Sequence, residues 1–124
     1  MSRYISALGF IVAIVGCASA QRVVVPAPDT LSISPADAQS LWRSACAPCH
    51  GLKGDLEGVD LSVFKKPPRD WSGIGPSFGF FFGGDKMRAG IYRSIHDGKD
   101  QMPAFAEILS SEQIWALVHH IEGL

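Results

Sequence analysis

The stretch Cys46-Ala47-Pro48-Cys49-His50 governs the interpretation of this 124-residue chain. The C-x-x-C-H spacing is the attachment signature of c-type haem, in which two thiols add across the two vinyl groups and form thioether bonds. The histidine that follows is then held beneath the iron as an axial ligand. The sequence therefore predicts one covalently attached haem c, with Cys46 and Cys49 as attachment points and His50 on the iron.

Three other uses of the two cysteines are open. A thioredoxin-like redox pair follows a strand and begins a helix, whereas the residues before Cys46 have helical periodicity. A structural zinc site needs about four ligands, and the sequence has no second cysteine pair. A structural disulfide between Cys46 and Cys49 would leave the adjacent His50 unexplained. Haem attachment accounts for all three residues and is the interpretation we favour.

A haem iron with one histidine ligand offers its other face to a second ligand, and Met102 is the best candidate. It precedes Pro103 in a loop between two helical stretches, and proline restrains the residue before it toward an extended conformation. Met/His ligation favours electron transfer and raises the reduction potential. The less favoured candidates are His96 as the runner-up, then Met87, His119 and His120.

The N-terminus has the order of an export signal. Arg3 is followed by an apolar run over residues 5–15 and then by Ala18-Ser19-Ala20, an A-x-A cleavage site. The run is too short to span a bilayer but suits a signal-peptide core. We predict a signal peptide over residues 1–20 and a periplasmic protein. In the alternative, residues 14–17 form a lipoprotein box, the signal ends before Cys17, and a lipid on Cys17 anchors the protein to the membrane.

The remaining chain divides into a tail over residues 21–33 and one domain over residues 34–124. Ser34-Pro35 is a helix-starting pair, and the next apolar residues have one-face helical spacing up to the C-x-x-C-H motif. The clearest helix begins at Ser110 or Ser111 near the C-terminus. Another begins at Asp85 and runs to about Ile95. The expected fold class is all-α, with a few helices and long loops around a covalent haem.

Residues 73–84 contain four phenylalanines among glycines, namely Phe78, Phe80, Phe81 and Phe82. They could form an apolar docking patch on the surface. Because large exposed apolar patches are rare on soluble domains, we expect these rings instead to cover the haem or to fill the core.

Length and charge exclude several classes of protein. A chain of 124 residues is too short for a multidomain enzyme or a polytopic membrane protein. Its 11 basic and 12 acidic residues give a formal net charge of −1. A protein without basic excess is a poor ligand for a phosphate backbone, so no nucleic-acid partner is expected.

From Ser34 to Leu124 the sequence resembles a bacterial class I cytochrome c domain. The matching parts are the first helix, Cys46-x-x-Cys49-His50-Gly51, the Pro67-Pro68-Arg69-Asp70-Trp71 segment, Ile95-x-x-Gly98, Met102-Pro103 and a terminal helix with Trp115. The resemblance implies that the N- and C-terminal helices cross, with Trp42 at the crossing. It also implies that Arg69 and Trp71 contact the haem propionates, and that the carbonyl of Val59 accepts a hydrogen bond from His50. Ala38 and His120 depart from the family pattern, which often has glycine and tyrosine there.

The function implied is single-electron transfer between redox partner proteins by an exported monohaem c-type cytochrome. Electron transfer requires no catalytic base or nucleophile, so the protein is not expected to be an enzyme. One alternative is a dedicated cytochrome subunit of a periplasmic dehydrogenase, reductase or oxidase. The less favoured alternative is a haem peroxidase or ligand sensor, which needs an open sixth coordination site.

Overall fold

The computed structural model describes residues 26–124, and this part of the chain is all-α. The predicted signal peptide and the Cys17 lipidation site lie outside the described residues. Four α-helices are present in the described part: α1 (Pro35–Leu41), α2 (Ala47–His50), α3 (Ile74–Asp97) and α4 (Ser111–Glu122). A π-helical turn (Trp42–Cys46) joins α1 to α2, and a 3₁₀ turn (Leu61–Val63) lies in the long loop that follows.

Helix α1 and the C-x-x-C-H motif form one continuous helical run. The Ser34 hydroxyl accepts a hydrogen bond from the backbone N–H of Asp37 at 3.1 Å, and Pro35 occupies the first turn. The helix widens into the π-helical turn just before Cys46. Such turns are rare and are frequent at functional sites. The motif is therefore presented from the end of a helix, as the sequence pattern predicts.

The core is the packing of α4 against α1 and α3. The side chains that are almost completely buried are Trp42, Ile114, Leu117 and Val118. Ser110 and Gln113 close the start of α4 with a reciprocal capping box. The Trp42 ring lies 5.5 Å from the His120 ring of α4, and its indole N–H donates to the carbonyl of Leu52 at 3.0 Å. The expected contact of the first and last helices around Trp42 is confirmed.

A charged pair ties α3 to the end of α4. The Arg88 guanidinium donates to both carboxylate oxygens of Glu122, at 2.8 Å and 2.5 Å, in a partly buried position. The pKa of Glu122 is held below its usual value mainly by these hydrogen bonds. Bidentate pairs of this geometry are directional as well as attractive, so the pair sets how α3 lies on α4.

Helix α3 is longer than the sequence pattern predicts, and it begins at Ile74 rather than at Asp85. The helical path is interrupted at Gly84, whose φ of 46° and ψ of −126° lie outside the helical region. The helix predicted to begin at Asp85 therefore corresponds to the part of α3 after this kink. The glycine-rich part before it is also helical, and of its side chains Pro76 and Phe80 are buried.

The phenylalanines of α3 are mostly exposed, so the expectation that they cover the haem or fill the core was wrong for three of the four. Phe80 is buried and lies 6.5 Å from the Trp71 ring. Phe78, Phe81 and Phe82 are 57%, 81% and 77% exposed. The cause is helical periodicity: Phe78 and Phe82, four residues apart, share one face and stack with centroids 5.9 Å apart.

Residues 26–33, the described part of the predicted tail, contain no helix. Leu31 nevertheless packs against the core, and the backbone N–H of Ser32 donates to the carboxylate of Glu112. Between residues 26 and 124, none of the helices is both long and apolar enough to cross a membrane.

His120, like Tyr92, has a buried polar side-chain atom that the core leaves without a hydrogen bond. Its Nε2 atom is buried and has no hydrogen-bond partner among the described residues. Burial lowers the pKa of the ring. We expect His120→Phe to raise the free energy of unfolding of the holoprotein by about 1 kcal/mol at pH 7, because an unsatisfied polar atom is replaced by an apolar ring. Denaturant titration measures this change.

The same variant should flatten the pH dependence of stability. A histidine whose pKa is lower in the folded than in the unfolded protein favours folding above its unfolded pKa of about 6.5, and this contribution is lost as the pH falls further. The stability difference between pH 7 and about pH 5.5 should therefore shrink in His120→Phe. His119→Gln, which changes the exposed neighbour, is the control. Equal slopes in the wild type and in His120→Phe would contradict the prediction.

Candidate haem-binding site

A cavity of about 590 Å³ lies between α3, the end of the C-x-x-C-H helix and two loops. Its volume is in the range of cofactor sites in proteins. The six site residues predicted from the sequence all line it: Cys46, Cys49, His50, Arg69, Trp71 and Met102. Two distant parts of the chain thus place two thiols, an imidazole and a thioether around one space, and this donor set fits a c-type haem.

The two cysteines are not bonded to each other and lie in different surroundings. Cys46 is buried and Cys49 is exposed at the edge of the cavity. Burial, and then the neighbouring Cys49, raise the pKa of Cys46 to about 11. Thiol–disulfide exchange starts from a thiolate, and the burial of Cys46 disfavours that form of its side chain. Among residues 26–124, no three His, Cys, Asp or Glu side chains gather into a metal-binding group.

The orientation of His50 is set by a backbone carbonyl. Its Nδ1 atom lies 3.1 Å from the carbonyl oxygen of Arg69. Because a carbonyl only accepts, Nδ1 carries the proton, and Nε2 keeps a free lone pair for a metal. Burial lowers the pKa of the ring, although the Arg69 hydrogen bond opposes this effect. A neutral, oriented imidazole is the form that binds iron.

The prediction that Val59 supplies this carbonyl was wrong. The contact comes from Arg69, which is 19 residues after His50. The Pro67-Pro68 pair precedes Arg69 and restrains the approach of the chain to the cavity. Which carbonyl accepts this bond depends on how the long loop after His50 folds. The number of residues after the motif does not by itself identify the acceptor.

Arg69 and Trp71 also form the wall of the cavity on this side. The Arg69 guanidinium carbon lies 5.0 Å from the centroid of the Trp71 ring, which is cation–π geometry. The backbone N–H of Trp71 donates to the carbonyl of Gly54 at 2.7 Å. Both residues line the cavity, and their contact with haem propionates stays a prediction.

Met102 closes a tight turn that lines the cavity. The turn is held by two backbone hydrogen bonds, from Lys99 N–H to the Met102 carbonyl at 3.1 Å and from Met102 N–H to the Lys99 carbonyl at 2.9 Å. Asp100 within it has a φ of 53°. The N–H of Phe105 donates to the carbonyl of Ile95 at 3.0 Å and ties the following residues to α3. The methionine is thus presented from a constrained loop, as predicted.

The competing ligand candidates separate into two groups. Met87 lines the cavity together with Ile91 and Ile95 of the same helix, at i, i+4 and i+8. The histidines at 96, 119 and 120 do not line it. His96, the runner-up, stacks on Tyr92 and has Nδ1 2.8 Å from Asp97. Met87 is therefore the one remaining rival to Met102 among the candidates from the sequence.

Sequence reasoning missed Gln101. Its side-chain oxygen accepts from the backbone N–H of Lys65 at 2.6 Å, and its amide nitrogen donates to the carbonyl of Val63 at 3.4 Å. These contacts join two loops, because Gln101 lies 36 residues after Lys65 and 38 residues after Val63. A polar residue in a polar loop has no pattern that predicts such a contact, and only its place beside Met102 could have drawn attention to it.

The all-α fold and the donor set around the cavity define a c-type cytochrome domain. Residues 34–121 match the family model described as cytochrome c oxidase, cbb3-type, subunit III. The chain belongs to this family, so a covalent haem c is its cofactor and haem-based electron transfer is its general activity. Such domains are typically periplasmic or extracellular. No curated protein sequence matches the chain significantly.

Gly98 is the residue on which the Met102 turn depends most. Its φ of 75° and ψ of 164° lie in a region that is essentially restricted to glycine. An added Cβ would lie 2.8 Å from both the carbonyl oxygen of Met102 and the backbone nitrogen of Ala104. We expect Gly98→Ala to displace the turn and to weaken or abolish the near-infrared Met–ferric charge-transfer band of the holoprotein, measured by absorption.

Gly58→Ala is a matched control for this substitution. Gly58 has the same φ of 75°, but nothing lies within 4 Å of an added Cβ. The Gly58→Ala substitution should therefore lower the free energy of unfolding by only about 1–2 kcal/mol, the cost of a non-glycine residue in the left-handed region. It should leave the band unchanged. A band of wild-type intensity in Gly98→Ala would show that the turn does not control the methionine.

Proposed function

We propose that the protein is an exported electron carrier with one covalent haem c, attached through Cys46 and Cys49 and ligated by His50 and Met102. The observation that carries the proposal is the meeting of these four residues on one cavity, with His50 already oriented by the Arg69 carbonyl. When bound, the haem supplies an iron that cycles between the ferric and ferrous states.

The protein side chains favour electron transfer over ligand activation. His50 is held in one tautomer, which strengthens it as a ligand. A Met102 thioether on the other face would close the sixth position and raise the reduction potential. Cys49 is exposed at the cavity edge, where electrons would pass to redox partner proteins. No side chain is needed as a base or nucleophile, so we do not assign an enzymatic activity.

Met102→Leu and Met87→Leu test the ligand assignment as a matched pair, because both replace a cavity-lining thioether by an apolar side chain of similar volume. We expect Met102→Leu to lose the near-infrared charge-transfer band, to lower the reduction potential and to bind cyanide at least about tenfold faster, since the sixth position opens. Met87→Leu should keep all three properties of the wild type. Absorption spectroscopy and redox titration of the holoproteins measure these properties.

Two outcomes would redirect the proposal. Loss of the band in Met87→Leu alone would identify Met87 as the ligand. A wild-type holoprotein that is high-spin and binds carbon monoxide without displacing a ligand would favour the peroxidase or ligand-sensor alternative over the carrier.

A dedicated subunit of a larger redox enzyme is the second candidate function. The family description names an oxidase subunit, and Phe78, Phe81 and Phe82 expose a cluster of apolar rings. Permanent interfaces are larger and more apolar than transient ones. The test is the size of the native holoprotein in gentle extracts. Co-migration with a second cofactor-containing chain, lost in Phe81→Ser/Phe82→Ser, would favour the subunit, whereas a monomer in both would favour the free carrier.

A further inference from the structure

The loop over residues 63–69 contacts the two segments that carry the proposed iron ligands. At one end, the backbone of Val63 and Lys65 is bonded to the side chain of Gln101, which adjoins Met102. At the other end, the carbonyl of Arg69 accepts from Nδ1 of His50. Four residues between these ends, 64 and 66–68, line the cavity themselves. We call residues 63–69 the bridging loop.

The bridging loop is short and restrained. The Asp60 carboxylate accepts from the N–H of Ser62 at 3.0 Å and fixes the 3₁₀ turn in which the loop begins. Pro67 and Pro68 each lock φ and reduce the freedom of the chain before Arg69. A displacement of one end is therefore poorly absorbed within the loop.

We propose that Gln101 is a positioning residue: by holding the Met102 turn on the bridging loop, it slows the release of Met102 from the iron. The inference rests on the proposed function, because it takes Met102 as the sixth ligand. The Met102 turn is closed locally by its own two hydrogen bonds with Lys99. Those bonds shape the turn, but they do not fix its distance from His50. The bond from Phe105 N–H to the Ile95 carbonyl ties the turn to α3, and Gln101 ties it to the loop whose other end bonds His50.

The nearby ion pair is a weaker tie between the same loops. Lys66 Nζ lies 3.3 Å from the Asp100 carboxylate, and the two side chains are 69% and 50% exposed. Exposed pairs contribute little and are screened by salt. Gln101 instead bonds two backbone groups, neither of which carries a mobile charge. The two contacts can thus be separated by substitution.

Imidazole binding to the ferric holoprotein is the test, because added imidazole can bind the iron only after Met102 has left it. We expect Gln101→Ala to raise the limiting rate at saturating imidazole by about tenfold, the effect of losing roughly one to two hydrogen bonds. Gln101→Glu keeps the acceptor for Lys65 N–H and should stay within about threefold of the wild type. Stopped-flow absorption measures the rate.

Two variants serve as controls. Gln39→Ala makes the same substitution at an exposed position of α1 and should leave the rate unchanged. Asp100→Asn removes the charge of the ion pair but keeps a residue type that tolerates the φ of 53°, and it should also leave the rate unchanged. Amide exchange of the Lys65 N–H gives a second readout, which should become faster in Gln101→Ala only.

The results distinguish this inference from the proposed function. If the wild type has the Met–ferric band but Gln101→Ala matches Gln39→Ala in both rate and Lys65 exchange, the positioning role of Gln101 is overturned while the ligand assignment stands. The same holds if Asp100→Asn raises the rate and Gln101→Ala does not. If the wild type lacks the band and Met102→Leu changes nothing, the proposed ligation itself is overturned.

Discussion

The hydrogen bond from His50 to the carbonyl of Arg69 is the interaction on which the site depends. It is made by a side chain at the end of a helix and a backbone group 19 residues further along the chain. Without it, the imidazole could rotate, and the loop after the C-x-x-C-H motif would lose its direct bond to the predicted iron ligand. With it, the loop lines the cavity in a fixed position, because Arg69 lies over Trp71 and Trp71 contacts the buried Phe80 of α3.

The helical core supports this arrangement from behind. Trp42 is buried between α1 and α4, with its ring 5.8 Å from that of His50 and 5.5 Å from that of His120. The hydrogen-bonded imidazole of His50 therefore also contacts an aromatic ring that is itself buried in the core. A domain this small buries a limited apolar core, and the cavity adjoins that core directly. Cofactor binding and core packing are two aspects of the same structure.

The sequence predicted the parts of the site that are local. The C-x-x-C-H motif, the caps at Ser34 and Ser110, and the proline after Met102 act within a few residues, so their signals are in the chain order itself. Long-range contacts escaped prediction: the carbonyl partner of His50 was assigned to Val59, and Gln101 was overlooked. The phenylalanines of α3 were misplaced for a related reason, since glycines concealed a helical period in which one ring faces inward and three face solvent.

The two proposed ligands differ in how they are held, and this difference has a functional consequence. His50 follows Cys49 directly, so covalent attachment of the haem would keep it at the iron whatever the loops do. Met102 is held by a turn and by contacts between exposed loops. Such contacts are individually modest and are the first to open. Substitutions in the loops can therefore change the accessibility of the iron while attachment stays intact. A fold of this kind needs only small changes around the Met102 turn to move from a closed electron carrier toward a ligand-binding protein.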